Sequence, residues 1–217
     1  MSGQSGAEIA IAAAAGLVGG AVAGRGLAHL LAVIPRGVRL PTRPLLIASA
    51  LITALGAALT VDTPRVGLAV WIGLVAVGLG AIDLAVHRMP DALTLPAIPV
   101  TLGVAAVTQL LAPGAGSVLR GIAAGVLLFV VFGALSAISS RAMGLGDVKL
   151  VPSLGIAAGF LSWSAVLVAV MAAFVLGAAV AVIGIVLRRM SASSRLAFGP
   201  YLTLGCWLVL VFPPLAG

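Results

Sequence analysis

Asp83 ends an apolar stretch in Ala81-Ile82-Asp83-Leu84. Asp147 lies between two apolar stretches, in Gly144-Leu145-Gly146-Asp147-Val148-Lys149-Leu150. The chain has five acidic residues in 217, and two of them stand at the edge of hydrocarbon-like sequence. A carboxylate placed there costs about 2.5–3.5 kcal/mol on insertion scales, so such a residue usually has a task. Two that meet form an acid/base pair able to activate water. Facing carboxyls do not both ionise readily, so at one pH one group serves as base and the other as acid. The base takes a proton from water while the acid polarises a scissile carbonyl. This is aspartic-protease chemistry, and it requires neither a metal nor a covalent intermediate.

The neighbours of these acids refine the expectation. Gly144 and Gly146 permit unusual backbone angles and close approach, so a peptide could lie beside Asp147; the plainer reading is a turn between helices. Lys149, two residues past Asp147, reads equally as a stabiliser of that carboxylate or as a basic anchor at the membrane surface. His87 is one helical turn beyond Asp83, where an interfacial role outweighs tuning of the acid. Asp91 reads as a helix N-cap rather than as a third catalytic acid. The other histidine, His29, adjoins no obvious nucleophile, so no Ser-His-Asp set competes. A single cysteine, Cys206, lies in an apolar run, which rules out an internal disulfide or a multi-cysteine zinc site. No metal or cofactor is expected.

The elements that must position these groups are membrane helices. The chain is 62% hydrophobic and 8% charged, against about 25% charged in a soluble domain, and its mean hydropathy is +1.30. About 20 apolar residues span a bilayer as a helix. Eight segments are expected, at about 7–34, 44–61, 66–86, 92–112, 118–140, 148–161, 163–187 and 197–215. The sixth is short, contains Pro152 and reads as a partial or tilted helix; a seven-span count is its competitor. The predicted fold is thus all-α, one polytopic domain over 1–217 with about eight transmembrane helices. Residues 1–8 carry no positive charge, which argues against a cleaved signal peptide. Gly16, Gly20 and Gly24 recur at four-residue spacing and predict a close helix–helix contact.

The formal net charge is +7. Nucleic acid is not the inference, because the positives fall in short connections between apolar runs, with neither a long basic tract nor aromatic–basic interleaving. The odd-numbered connections hold Arg36, Arg39, Arg43, Arg88, Arg141, Lys149, Arg188, Arg189 and Arg195. The other side holds Arg65 and Arg120, and Arg25 falls inside the first segment. By the positive-inside rule the odd connections are cytoplasmic and both termini lie outside, which requires an even number of spans. Asp83 and Asp147 then share the cytoplasmic face of a cell membrane.

These residues resemble the type IV prepilin peptidases, a family of membrane aspartic proteases of the Gly-x-Gly-Asp type. Gly144-Leu145-Gly146-Asp147-Val148-Lys149-Leu150 is similar to the family's Gly-x-Gly-Asp-x-Lys-Leu motif. Ile82-Asp83 with His87-Arg88-Met89-Pro90-Asp91-Ala92-Leu93-Thr94-Leu95-Pro96 resembles the segment bearing the first catalytic aspartate. Phe198-Gly199-Pro200-Tyr201 resembles a Phe-Gly-Pro element before the last helix, and Gly16-Leu17-Val18-Gly19-Gly20 running to Ile34-Pro35 loosely resembles the family's start. The resemblance implies an eight-helix bundle with Asp83 and Asp147 as the catalytic pair. It implies removal of a short basic leader from prepilins or pseudopilins at the cytoplasmic face, after glycine and before the hydrophobic stalk. Membrane lipid and the prepilin are the partners implied.

One departure bears on activity. Many bifunctional members carry a cysteine-bearing cytoplasmic insertion between the first two helices and N-methylate the new terminus. Here that connection runs only from about Pro35 to Arg43, without cysteine, which argues against methylation and against S-adenosylmethionine as a cofactor. Short members of this kind occur with Flp-type, tight-adherence pili. The alternatives are a proton- or cation-coupled transporter using Asp83 and Asp147 as a relay, a presenilin-like protease and a non-catalytic assembly subunit. The first lacks an inverted repeat; the second lacks the expected Tyr-Asp, since Asp83 follows isoleucine; the third does not explain both acids.

Overall fold

A computed structural model describes residues 6–33, 40–86, 89–138, 144–188 and 198–212. These form eight α-helices: α1 (Gly6–Val33), α2 (Thr42–Thr60), α3 (Val66–Val86), α4 (Asp91–Leu111), α5 (Val118–Ile138), α6 (Leu145–Leu161), α7 (Trp163–Val186) and α8 (Gly199–Val211). Six of them, α1 to α5 and α7, are long and apolar enough to cross a membrane. The protein is therefore a multi-pass helical membrane protein. α8 has 13 residues, or about 20 Å of helix; residues 197 and 213–215 of the expected 197–215 segment lie outside the described residues.

The sixth helix starts three residues before the expected 148 and, at 17 residues, is not among the six long enough to cross. The helix begins at Leu145 and runs continuously through Pro152 to Leu161. Its two ends explain why a short, partly polar segment is stable. Gly144 is extended and its carbonyl accepts from the amides of Asp147 and Val148, at 3.1 and 3.4 Å, which closes the first turn. At the far end the guanidinium of Arg120, on α5, donates to the carbonyls of Gly159, Phe160 and Leu161 at 2.7, 2.6 and 2.5 Å. These are end carbonyls without intrahelical donors, and a cation there also matches the helix dipole.

Ser162 then adopts an extended conformation and caps α7, its hydroxyl accepting from the amide of Ala165. Residues Val148 to Phe160 of α6 are buried almost without interruption, and α6 packs against α4, α5, α7 and α8. It is the axis of the bundle.

Small residues set the two tightest helix pairs. In α1 and α2 the predicted close contact is present. A Cβ added at Gly16 would lie 2.7 Å from Ala54 Cα, and one at Gly24 2.8 Å from Leu46 Cα. Between them Thr53 Oγ1 on α2 is bonded to the carbonyl of Gly16 on α1 at 2.7 Å. A second seam, unexpected from the sequence, joins α5 to α6. A Cβ at Gly155 would stand 2.7 Å from Gly125 Cα, and one at Gly121 2.8 Å from the carbonyl of Ile156. Close backbone approach of this kind replaces the hydrophobic driving force that is weak between helices in lipid.

Candidate carboxylate-pair site

Asp83, Gly144, Gly146, Asp147 and Lys149 fall at one end of the bundle, where α3 finishes and α4, α6 and α8 begin. Asp83 lies one turn before the end of α3 and Asp147 in the first turn of α6. Both are buried, at 7% and 8% exposure. They are brought together across a third element, the start of α8, where Phe198-Gly199-Pro200 lies. A Cβ built on Gly199 would stand 3.2 Å from Asp83 Oδ2 and 3.3 Å from Asp147 Oδ1. The two oxygens are therefore no farther apart than the sum of those distances. They interact electrostatically, like charge against like charge, which favours a single shared proton.

The start of α8 is held firmly. Phe198 packs on Phe174 of α7 with ring centroids 5.0 Å apart. Pro200 rests against Gly80 of α3, its Cβ 3.7 Å from where a Cβ at Gly80 would be, one turn before Asp83. Pro200 also stands in the opening turn of α8, where a missing amide hydrogen costs least. Phe-Gly-Pro thus supplies an anchor, a gap and a helix start in three consecutive residues. Only glycine leaves room at that position, and the Met89 Cε methyl enters it.

Met89 fills the space beside Gly199. A Cβ at Gly146 would meet Met89 Cβ at 3.0 Å, and one at Gly199 would overlap Met89 Cε. The glycines of the Gly144-Leu145-Gly146-Asp147 segment thus differ in use. Gly146 admits Met89. Gly144 begins the helix in an extended conformation, with Asp147 Oδ2 folded back to 3.6 Å from its would-be Cβ.

Two expectations change. Lys149 does not pair with Asp147: its Nζ lies 2.7 Å from Asp91 Oδ1. Asp91 is not the N-cap of α4. Pro90 occupies the cap, no side chain caps the helix, and Asp91 is its first residue with a carboxylate turned to Lys149. The reason is geometric. α4 and α6 start side by side, so the lysine one residue beyond Val148 reaches across to α4 instead of back to its own helix start. His87, considered as a tuning group, lies outside the described residues. Cys206 is buried in α8, its sulfur 3.5 Å from the carbonyl of Leu154, as a packing residue. Among the described residues, no three His, Cys, Asp or Glu side chains are gathered so as to hold a metal ion.

A buried carboxyl pair at the end of a polytopic helix bundle defines a class of intramembrane acid/base proteins. Within that class, the sequence model of the type IV leader peptidase family matches residues 68–182, from α3 to α7 and across both aspartates. The match covers more than half of the chain, and the chain belongs to this family.

Curated relatives carry the name prepilin leader peptidase/N-methyltransferase. The protein of Aeromonas hydrophila is 30% identical over 139 residues, covering 64% of this chain and 47% of that one. That of Aeromonas salmonicida strain A449 is 31% identical over 142 residues, 64% and 46% of the two chains. That of Dickeya chrysanthemi is 31% identical over 142 residues, 65% and 49%. The chain spans about half the length of the curated relatives it matches. No solved structure gives a significant match.

Proposed function

We propose that this protein is a membrane aspartic endopeptidase that cleaves the leader of type IV prepilin-like proteins at the cytoplasmic face of the cell membrane, with both termini outside. Asp83 and Asp147 are the catalytic pair. Gly144 and Gly146 shape the start of α6, and Lys149 holds it to α4. The observation that carries the reading is the convergence of both buried carboxyls on the bare Cα of Gly199. One carboxylate takes the proton of a water bound by the two acids. The protonated partner donates to the scissile carbonyl as the water attacks, and the proton then passes to the leaving amine. Family membership favours peptide hydrolysis over the ion-relay alternative. The excess of basic residues in the odd connections supports the cytoplasmic orientation. The brevity of the α1–α2 connection keeps open a Flp-type substrate and supports proteolysis without methyl transfer.

The test is co-expression with a candidate prepilin. Asp83→Asn and Asp147→Asn should each abolish leader cleavage, a loss of at least about a hundredfold for removal of a catalytic acid or base, with the protein still present in the membrane. Full processing by either variant refutes the mechanism. Mass spectrometry of the processed pilin should find a free N-terminal amine when this protein is the only processing enzyme; a methylated terminus that depends on this protein overturns the monofunctional reading.

A further inference from the structure

A second polar feature lies at the same end of the bundle but on the α1–α2 hairpin, and the carboxyl pair makes no use of it. The glycine seam between these helices ends at Gly24, which packs on the backbone of Leu45 and Leu46. Beyond it a cavity of about 610 Å³ opens, lined by Arg25, Ala28, His29 and Ala32 of α1 and by Leu40, Thr42, Arg43 and Leu46 around the start of α2. The α1 residues recur at three and four positions and so form one stripe. Its small members leave the room, and its large members supply charge.

Arg25 is eight residues from the end of α1, or about 12 Å along the axis. A guanidinium at that depth needs an anion or a path to the surface. No carboxylate of the described residues pairs with Arg25 or Arg43. A third donor set adjoins them. Thr42 and Arg43 open α2, a 19-residue helix that no side chain caps. First-turn amides and the helix dipole favour an anion at such an end. Two guanidiniums, an imidazole and a helix N-terminus facing one membrane-surface cavity match a phosphate group with hydrocarbon attached: Arg takes phosphate oxygens in a bidentate fork, and the apolar flank of Leu40 and Leu46 suits a glycerol and acyl start.

We propose that this cavity binds the phosphodiester headgroup of an anionic phospholipid, seating the α1–α2 hairpin in the leaflet that holds the carboxyl pair. Free phosphate shares the recognised chemistry and is the ligand to be distinguished.

The test uses the full-length protein in detergent, titrated with phosphatidylglycerol or phosphatidylcholine and read by native mass spectrometry. Phosphatidylglycerol adducts should exceed phosphatidylcholine adducts. Arg25→Gln and Arg43→Gln should each reduce that preference about fivefold, the effect of one basic residue at an anionic surface. Arg25→Lys should keep most of it and guards against a folding defect in the glutamine variant. Arg188→Gln, a basic residue at the end of α7 remote from the cavity, should change nothing. An undiminished preference in the Arg25→Gln/Arg43→Gln double variant overturns the site, as does an equal loss in Arg188→Gln. Displacement of the lipid by millimolar inorganic phosphate assigns the site to the free ion and overturns the lipid assignment.

Discussion

Lys149 Nζ lies 2.7 Å from Asp91 Oδ1, joining the first turn of α6 to the first residue of α4. The pair is open to solvent, with 37% and 57% of the two side chains exposed. It sits beside Asp147 in sequence yet satisfies a different acid. Exposed pairs contribute about 0–1 kcal/mol. Asp91→Asn should therefore be mild, lowering cleavage less than about fivefold, and should do so more at low salt than at high. Leader processing measured across ionic strength checks this; a loss as deep as that of Asp83→Asn would make Asp91 part of the chemistry.

Gly199 should be intolerant of a side chain. The added methyl of Gly199→Ala would stand 3.2 and 3.3 Å from the two carboxylates and overlap Met89 Cε. Met89 is flexible and can yield, but the carboxyl pair and the space for water cannot both be kept. Cleavage should fall at least about tenfold, equivalent to 1.4 kcal/mol in the transition state. Met89→Ala alone should be nearly silent, and Gly199→Ala/Met89→Ala should remain impaired. Restoration by the double change would show that Met89, and not the gap between the acids, was the obstacle.

Cleavage should have a bell-shaped pH dependence. Below the pH at which the first carboxyl of the pair ionises, no base remains; above that at which the second ionises, no acid remains. Activity is lost on both sides and peaks where one proton is shared. A synthetic leader peptide assayed with the reconstituted protein gives the profile. A plateau continuing to alkaline pH would point to a different nucleophile.

The α5–α6 seam should be sensitive to single methyl groups. Gly155→Ala puts a Cβ 2.7 Å from Gly125 Cα and 2.9 Å from the carbonyl of Ala124, backbone atoms that cannot swing away. Overpacking of this sort costs about 1–3 kcal/mol. Gly103→Ala, whose Cβ meets nothing within 4 Å on α4, should be neutral or slightly stabilising, since alanine is the better helix former. Denaturant unfolding in detergent separates the two; equal stability of both variants would deny the seam its role.

Much of the bundle was legible because lipid imposes a strong pattern. The apolar runs marked helix ends that the structure places within a few residues of expectation. α6 was misread at its start, because Asp147 and Lys149 lower hydropathy, whereas backbone bonding to Gly144 begins the helix before them. The two acids stood out since charge in an apolar run is rare. Gly199 did not, because a glycine carries no functional group and its role arises only when α3, α6 and α8 converge. Arg120 read as a loop charge on the side opposite the acids; its three carbonyl partners are on a different helix. The spacing of Gly121 with Gly125 and of Gly155 with Gly159 was visible, but one glycine pair does not announce that another will face it.

The Arg120 clasp also constrains the order in which the chain is built. α6 carries a carboxylate, an ammonium and a proline, and its last carbonyls depend on a guanidinium from the preceding helix. Polar groups without partners are strongly disfavoured in lipid. α6 is therefore expected to gain its footing as the second half of a hairpin with α5, and Asp147 to become buried only once that hairpin has closed.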